Sequence, residues 1–250
     1  GKRAILRLAE LIRGYEHEAA TAGVIVGMGL CNEPERGHLD GYPGVYDLVE
    51  HMVPQIRAIL PADYYLLLLS FTDPPSLVAP WLEITMRRNG TNYKNVAFDK
   101  HLFHNSGDDS HPDYNTNTCK TCCRNWHVFE PLTRRGIPIV IGEWSLTSGR
   151  GGDGDLDRHF SEQLSLWANT PRVLGSFFWN FRLPQHSTEW SLLSLMNEAV
   201  LTRPDEVDVS RLCPEQDLCR CPAFPNSDGP EWRRWPPPTC NMRPSCNEEA

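Results

Sequence analysis

Five strand-sized runs rich in apolar residues, separated by stretches with helical periodicity, constrain this chain more than any other feature of it. The runs cover residues 24–30, 64–71, 95–102, 137–141 and 173–179. Apolar side chains at successive positions, rather than alternate ones, mark a strand covered on both faces, as in a parallel sheet flanked by helices. Residues 2–20 place Ile5, Leu8, Leu11 and Ile12 at helical spacing with polar residues between. Residues 45–60, 77–88, 126–135, 156–169 and 191–199 also read as helices, and Pro61 and Gly136 supply stop signals. Parallel strands joined by helices need right-handed crossovers. The expected fold is therefore α/β, either a doubly wound sheet or a barrel. No internal repeat is visible.

The pattern ends near Thr202, which divides the chain into an α/β part, 1–201, and a Cys- and Pro-rich tail, 202–250. Five of the nine cysteines fall in the last 38 residues, at Cys213, Cys219, Cys221, Cys240 and Cys246. That density predicts disulfides and an oxidising compartment, with at least one cysteine of the odd set free or paired outside the chain. The glycosylation sequon Asn89-Gly90-Thr91 points the same way, to a secreted or cell-surface protein. Cys119, Cys122 and Cys123, near His111 and His127, lack four ligands at clean spacing, so disulfides or free thiols explain them better than zinc. Trp232 and Trp235 in the tail are read as packing in a small stapled module. The glycine-rich segment 149–154 has no following Lys-Ser/Thr to bind phosphate and reads as a loop.

Charge and hydropathy exclude two classes of partner. A formal net charge of −8 with no basic run repels nucleic acid. No apolar stretch approaches the ~20 residues of a membrane span. A neutral carbohydrate is compatible with both facts.

Polar residues collect where the strands end: Asn32 and Glu33, then His101, then Glu143, then Trp179. In a β/α barrel that rim carries the active site. Glycosidic cleavage needs two carboxyl groups, one to protonate the leaving oxygen and one to attack the anomeric carbon or activate water. A lone strand-end Glu is more often a solvated loop residue. Two of them, in Asn32-Glu33-Pro34 and Ile141-Gly142-Glu143-Trp144, favour chemistry.

The ordered set of motifs resembles glycoside hydrolase family five, and within it the exo-β-1,3-glucanase type. Leu30-Cys31-Asn32-Glu33-Pro34 matches the family's acid/base motif at the fourth strand. Asp99-Lys100-His101-Leu102-Phe103 matches the Asp-x-His-x-Tyr end of the sixth strand. Gly142-Glu143-Trp144-Ser145 matches the nucleophile motif at the seventh. Gly175-Ser176-Phe177-Phe178-Trp179 fits the eighth strand with its sugar-flooring Trp, and Glu189-Trp190-Ser191 resembles the segment that follows. The similarity runs over residues 1–201.

The resemblance implies a (β/α)8 TIM barrel present from its fourth to its eighth strand, and a retaining hydrolase of β-glucan, most of all β-1,3-glucan. It implies Glu33 as acid/base and Glu143 as nucleophile, with Asn32, His101, Phe103, Trp144 and Trp179 binding substrate. Glu33 would stay protonated while Glu143 stays ionised. No metal or organic cofactor is required, and the protein is expected to be a monomer, extracellular or in the cell wall or at the cell surface. Two departures stand out. Phe103 replaces a Tyr whose hydroxyl touches the nucleophile in the family, with His104 next door. The Arg and His of the family's first three strands have no counterpart, and the chain opens at Gly1 inside a helical pattern. Five strands cannot close a barrel, so the sequence reads as a fragment of a longer chain or as a degenerate relative. The alternatives are a β-glycosidase of the same family acting on β-1,4 or β-1,6 links or another aglycone, and an inactive glucan-binding relative.

Overall fold

A computed structural model of the chain describes residues 1–16, 23–34, 44–69, 75–103, 129, 131–147, 156–170, 172–183 and 188–197. Its elements alternate as the apolar pattern predicts. They are α1 (Lys2–Tyr15), β1 (Gly27–Gly29), α2 (Val45–Arg57), β2 (Tyr65–Leu69), α3 (Pro75–Arg88), β3 (Val96–Leu102), β4 (Ile139–Trp144), α4 (Leu156–Asn169), β5 (Val173–Phe178) and α5 (Leu192–Asn197). Phe129 and residues 131–133, between β3 and β4, are also helical. The five strands form one parallel sheet in the order β1-β2-β3-β4-β5, so each strand pairs with its neighbours in sequence. The expectations for Cys119, Cys122, Cys123, His111, His127, segment 149–154 and tail 202–250 fall outside the described residues.

Contacts divide the chain into two compact units, Gly1–Lys100 with Pro131–Val140, and His101–Glu130 with Ile141–Ala250. Strands β3 and β4 pass from the first unit into the second.

In the first unit, α2 turns Leu48, Val49, Met52, Val53 and Ile56 inward at i, i+1, i+4, i+5 and i+8, the stripe of an amphipathic helix. Val78, Ala79 and Leu82 do the same for α3. The two helices meet where Tyr46 packs on Trp81, with ring centroids 4.5 Å apart, and the Trp81 indole donates to Glu50 at 2.8 Å. The Arg57 guanidinium, half-buried at the end of α2, donates to the carbonyls of Asn92, Pro61, Tyr64 and Lys94, and so ties together the loops that lead into β2 and β3. Arg135 bridges the Glu83 carboxylate and the Pro131 carbonyl, both at 2.9 Å, which anchors the chain entering β4.

The register explains one glycine. Gly27 pairs with Tyr65, and a Cβ at Gly27 would lie 2.5 Å from the Tyr65 carbonyl oxygen and 2.9 Å from its Cβ. These obstacles are backbone and near-backbone atoms that cannot swing away. Gly27→Ala is expected to destabilise the protein by about 2–3 kcal/mol through overpacking, read as a lower thermal unfolding midpoint.

Burial departs from expectation at the two ends of the sheet. β3 and β4 are buried along most of their length. Val24 and Val26, in the run leading into β1, are instead 70% and 69% exposed, and β5 leaves Leu174 and Phe177 open at 48% and 62%. A strand with a neighbour on one side only has less to cover it, so an apolar run there stays in contact with solvent.

Candidate active site

The second unit gathers the polar strand ends of β3, β4 and β5. Strand period decides which side chains can act together, because successive residues point to opposite faces. In β4, Ile139, Ile141 and Glu143 share one face, and Val140, Gly142 and Trp144 share the other. Glu143 and its neighbour Trp144 therefore cannot serve the same pocket.

On the Glu143 face, β3 supplies His101. Its Nδ1 lies 3.4 Å from a Glu143 carboxylate oxygen, with the side chains 2% and 14% exposed. A carboxylate kept largely from water beside an imidazole is a group with few ways to move and a neighbour able to share a proton. Phe103, one turn of the pleat beyond His101, packs on Trp190 with ring centroids 5.4 Å apart and the planes tilted by 34°. Backbone bonds hold Trp190 in place: the Leu146 amide donates to the Glu189 carbonyl at 3.0 Å, and the Asn180 amide to the Trp190 carbonyl at 2.7 Å. Leu192 and Leu193 donate back to Asn180 and Phe181 at 3.0 and 2.9 Å. The segment 188–193 is thereby strapped across the ends of β4 and β5. Trp179, just past β5, donates its amide to the Trp144 carbonyl at 2.7 Å and leaves 46% of its surface open. An indole with this much exposed surface is able to stack against the C–H groups of a sugar.

Trp144 itself is placed elsewhere than the resemblance implies. It is 1% exposed and packs against Phe160, Trp167 and Phe178 at centroid distances of 5.4, 6.2 and 5.1 Å. It seats α4 on the sheet, on the face opposite Glu143.

In the first unit, β1 ends in Leu30, Cys31, Asn32 and Glu33. Asn32 is exposed and Glu33 half-buried. Glu33 holds a positive φ of 40° directly before Pro34. Side chains other than Gly, Asn and Asp adopt that region rarely, and such strained residues cluster at functional sites. Partial burial pushes the Cys31 thiol above the ordinary cysteine value.

The structure thus brings His101 and Glu143 together, sets Phe103 and Trp179 in the same unit, and puts Asn32 and Glu33 at the end of β1. The sequence reading missed two residues of the second unit, His159 and Gln163 on α4, which are buried behind the end of β4. Their signal is two polar residues at i and i+4 on a helix face that also carries Trp167. No protein-family model matches the chain, and no curated protein matches it in sequence. Among the described residues, no helix is long and apolar enough to cross a membrane.

Proposed function

We propose that this chain is the part of a (β/α)8-barrel glycoside hydrolase from its fourth to its eighth strand, and that it cleaves β-glucan, foremost β-1,3-glucan, with retention. The observation that carries the reading is the close, sheltered pair of Glu143 and His101 at the ends of adjacent strands, with the half-open indole of Trp179 fixed beside β4. Strand order supports a barrel. A doubly wound sheet reverses its order at a switch point, whereas these five strands step one way throughout. In a parallel sheet all C-terminal strand ends share one edge, where barrel enzymes keep their chemistry.

In this mechanism Glu143 attacks the anomeric carbon while Glu33 protonates the departing oxygen. Water, deprotonated by Glu33, then cleaves the glycosyl ester. Asn32 donates to the sugar 2-OH, a bond that strengthens in the transition state. His101 orients the Glu143 carboxylate. No metal or organic cofactor takes part in these steps. Asn89 is exposed at the end of α3, accessible to glycosylation; with the cysteine-rich tail it supports a secreted or cell-surface protein.

Hydrolysis of laminarin-type β-1,3-glucan by the full-length protein, with the first-formed product anomer followed by NMR, tests the reading. Initial release of β-glucose supports it. Initial release of α-glucose rules out retention. Binding of the glucan without hydrolysis favours the second reading, an inactive glucan-binding relative, for which Phe103 in place of a hydroxyl-bearing Tyr is the specific argument.

Phe103 also yields a test of its own. Its ring is already held against Trp190, so Phe103→Tyr adds a hydroxyl without moving the ring. The resemblance implies that this hydroxyl meets the Glu143 carboxylate, and such a hydrogen bond is worth roughly 1.5–3 kcal/mol. Phe103→Tyr is expected to raise kcat/KM by about tenfold or more, measured on an aryl β-glucoside.

A further inference from the structure

Helix α4 turns a polar stripe into the protein. His159, Gln163 and Trp167 recur at every fourth residue and so lie on one side of the helix, and they are only 1%, 0% and 3% exposed. Burying a primary amide is costly unless it is bonded, and an aliphatic side chain would fill a core position without that cost. The Gln163 amide bonds to the end of β4. Its Nε2 donates to the Ser145 carbonyl at 3.4 Å and lies 3.1 Å from His159 Nε2. Turned the other way, the amide would set its oxygen against the Ser145 carbonyl, two acceptors with no proton between them. The carbonyl thus fixes the orientation of the amide. The amide in turn makes His159 Nε2 an acceptor, which places the ring proton on Nδ1.

Ser145 follows Glu143 by two residues, at the point where the chain leaves the strand. The backbone there is held on the sheet side by Trp179 bonding to the Trp144 carbonyl and by Leu146 bonding to Glu189. The Ser145 hydroxyl accepts the Thr147 amide at 3.2 Å and closes the turn. Gln163 supplies the hold from the helix side.

We propose that Gln163, paired with His159, is a positioning residue for the Glu143 carboxylate: through the Ser145 carbonyl it fixes the direction in which Glu143 leaves β4 and meets His101. The proposal rests on the reading of Glu143 as nucleophile. A reacting group displaced by about 1 Å can cost on the order of 100-fold in rate.

Gln163→Leu and Gln163→Met keep the volume and remove the donor. In the full-length protein, either is expected to lower kcat on an aryl β-glucoside by about 10- to 100-fold with KM nearly unchanged. The His101 ring 15N signals, recorded without substrate, are expected to move toward their position in Glu143→Gln. The second readout does not depend on turnover, so a wild-type protein inactive on β-glucosides would refute the hydrolase reading while still testing the positioning role. A lower unfolding midpoint in both variants, with kcat and the His101 signals unchanged, would overturn the proposal and leave Gln163 a core hydrogen bond.

Discussion

On the proposed mechanism, hydrolysis of β-1,3-glucan by the Glu143→Gln variant is expected to fall by roughly 10⁴-fold or more, because the group proposed to form the covalent bond to the sugar is gone. The substitution is isosteric, so the 5-stranded sheet and the packing at the end of β4 are retained. What changes is chemical: an amide neither attacks an anomeric carbon nor carries the charge that the emerging oxocarbenium ion meets. Glu33→Ala is expected to behave differently, and the difference separates the two roles. Loss of a general acid costs about 10²–10⁴-fold where the leaving group needs a proton. A glucan, whose leaving group is a sugar alkoxide, suffers the whole loss. An aryl β-glucoside with an acidic phenol leaves almost unaided, so its first step is largely spared. Values of kcat/KM, which report the first step alone, for both variants on both substrates check this. Equal losses of kcat/KM on the two substrates in Glu33→Ala would contradict its assignment as the acid.

The largest effect on stability is expected at Arg57. Its guanidinium donates to four backbone carbonyls at 2.9 Å (Asn92), 3.1 Å (Pro61), 2.8 Å (Tyr64) and, on its other nitrogen, Lys94. Burial lowers its pKa from the ordinary arginine value, but guanidinium still remains charged at any working pH. Bonds from a charged donor each contribute about 1.5–3 kcal/mol when sheltered, and less where water can replace them. The bonds to Asn92 and Tyr64 are part-buried and count most. Arg57→Met keeps the aliphatic stem and removes every donor, and the expected cost is about 3 kcal/mol. For a chain of this size that lowers the thermal midpoint by roughly 6–12 °C. Arg57→Lys recovers only a fraction, since one ammonium cannot span carbonyls contributed by two separate loops. Calorimetry or thermal circular dichroism on the three proteins measures the series.

The alternation of elements was legible in the sequence because helical and strand periods differ and the chain keeps each for a whole element. Helix α4 forms over the residues its pattern marks, Leu156–Asn169. Strand β4 runs three residues further than its apolar run, to Trp144, which puts Glu143 on the strand itself. The apolar run at 24–30 gives only a three-residue strand, Gly27–Gly29. Its valines point to solvent, because an apolar run shows what a strand can bury and not whether a neighbour is there to cover it. The proximity of His101 and Glu143 was legible where motif and period agree. The site was not legible at Trp144, where adjacency in a motif suggested a shared role and the pleat sends the side chain to the opposite face. Nor was it legible at Gln163 and His159. Polar residues at i and i+4 ordinarily mark the solvated side of a helix, and only packing against the end of β4 shows that this pair faces inward.

The central claim, that Glu143 is the nucleophile of a retaining β-glucosidase, is tested most directly by trapping the intermediate. A 2-deoxy-2-fluoro-β-glucoside with a good leaving group slows hydrolysis of the glycosyl ester more than its formation, so the ester accumulates. Peptide mass spectrometry of the full-length protein after such treatment is predicted to find one fluoroglucosyl group on Glu143, and none in Glu143→Gln. Turnover of β-glucan together with a label on any other residue would contradict the assignment.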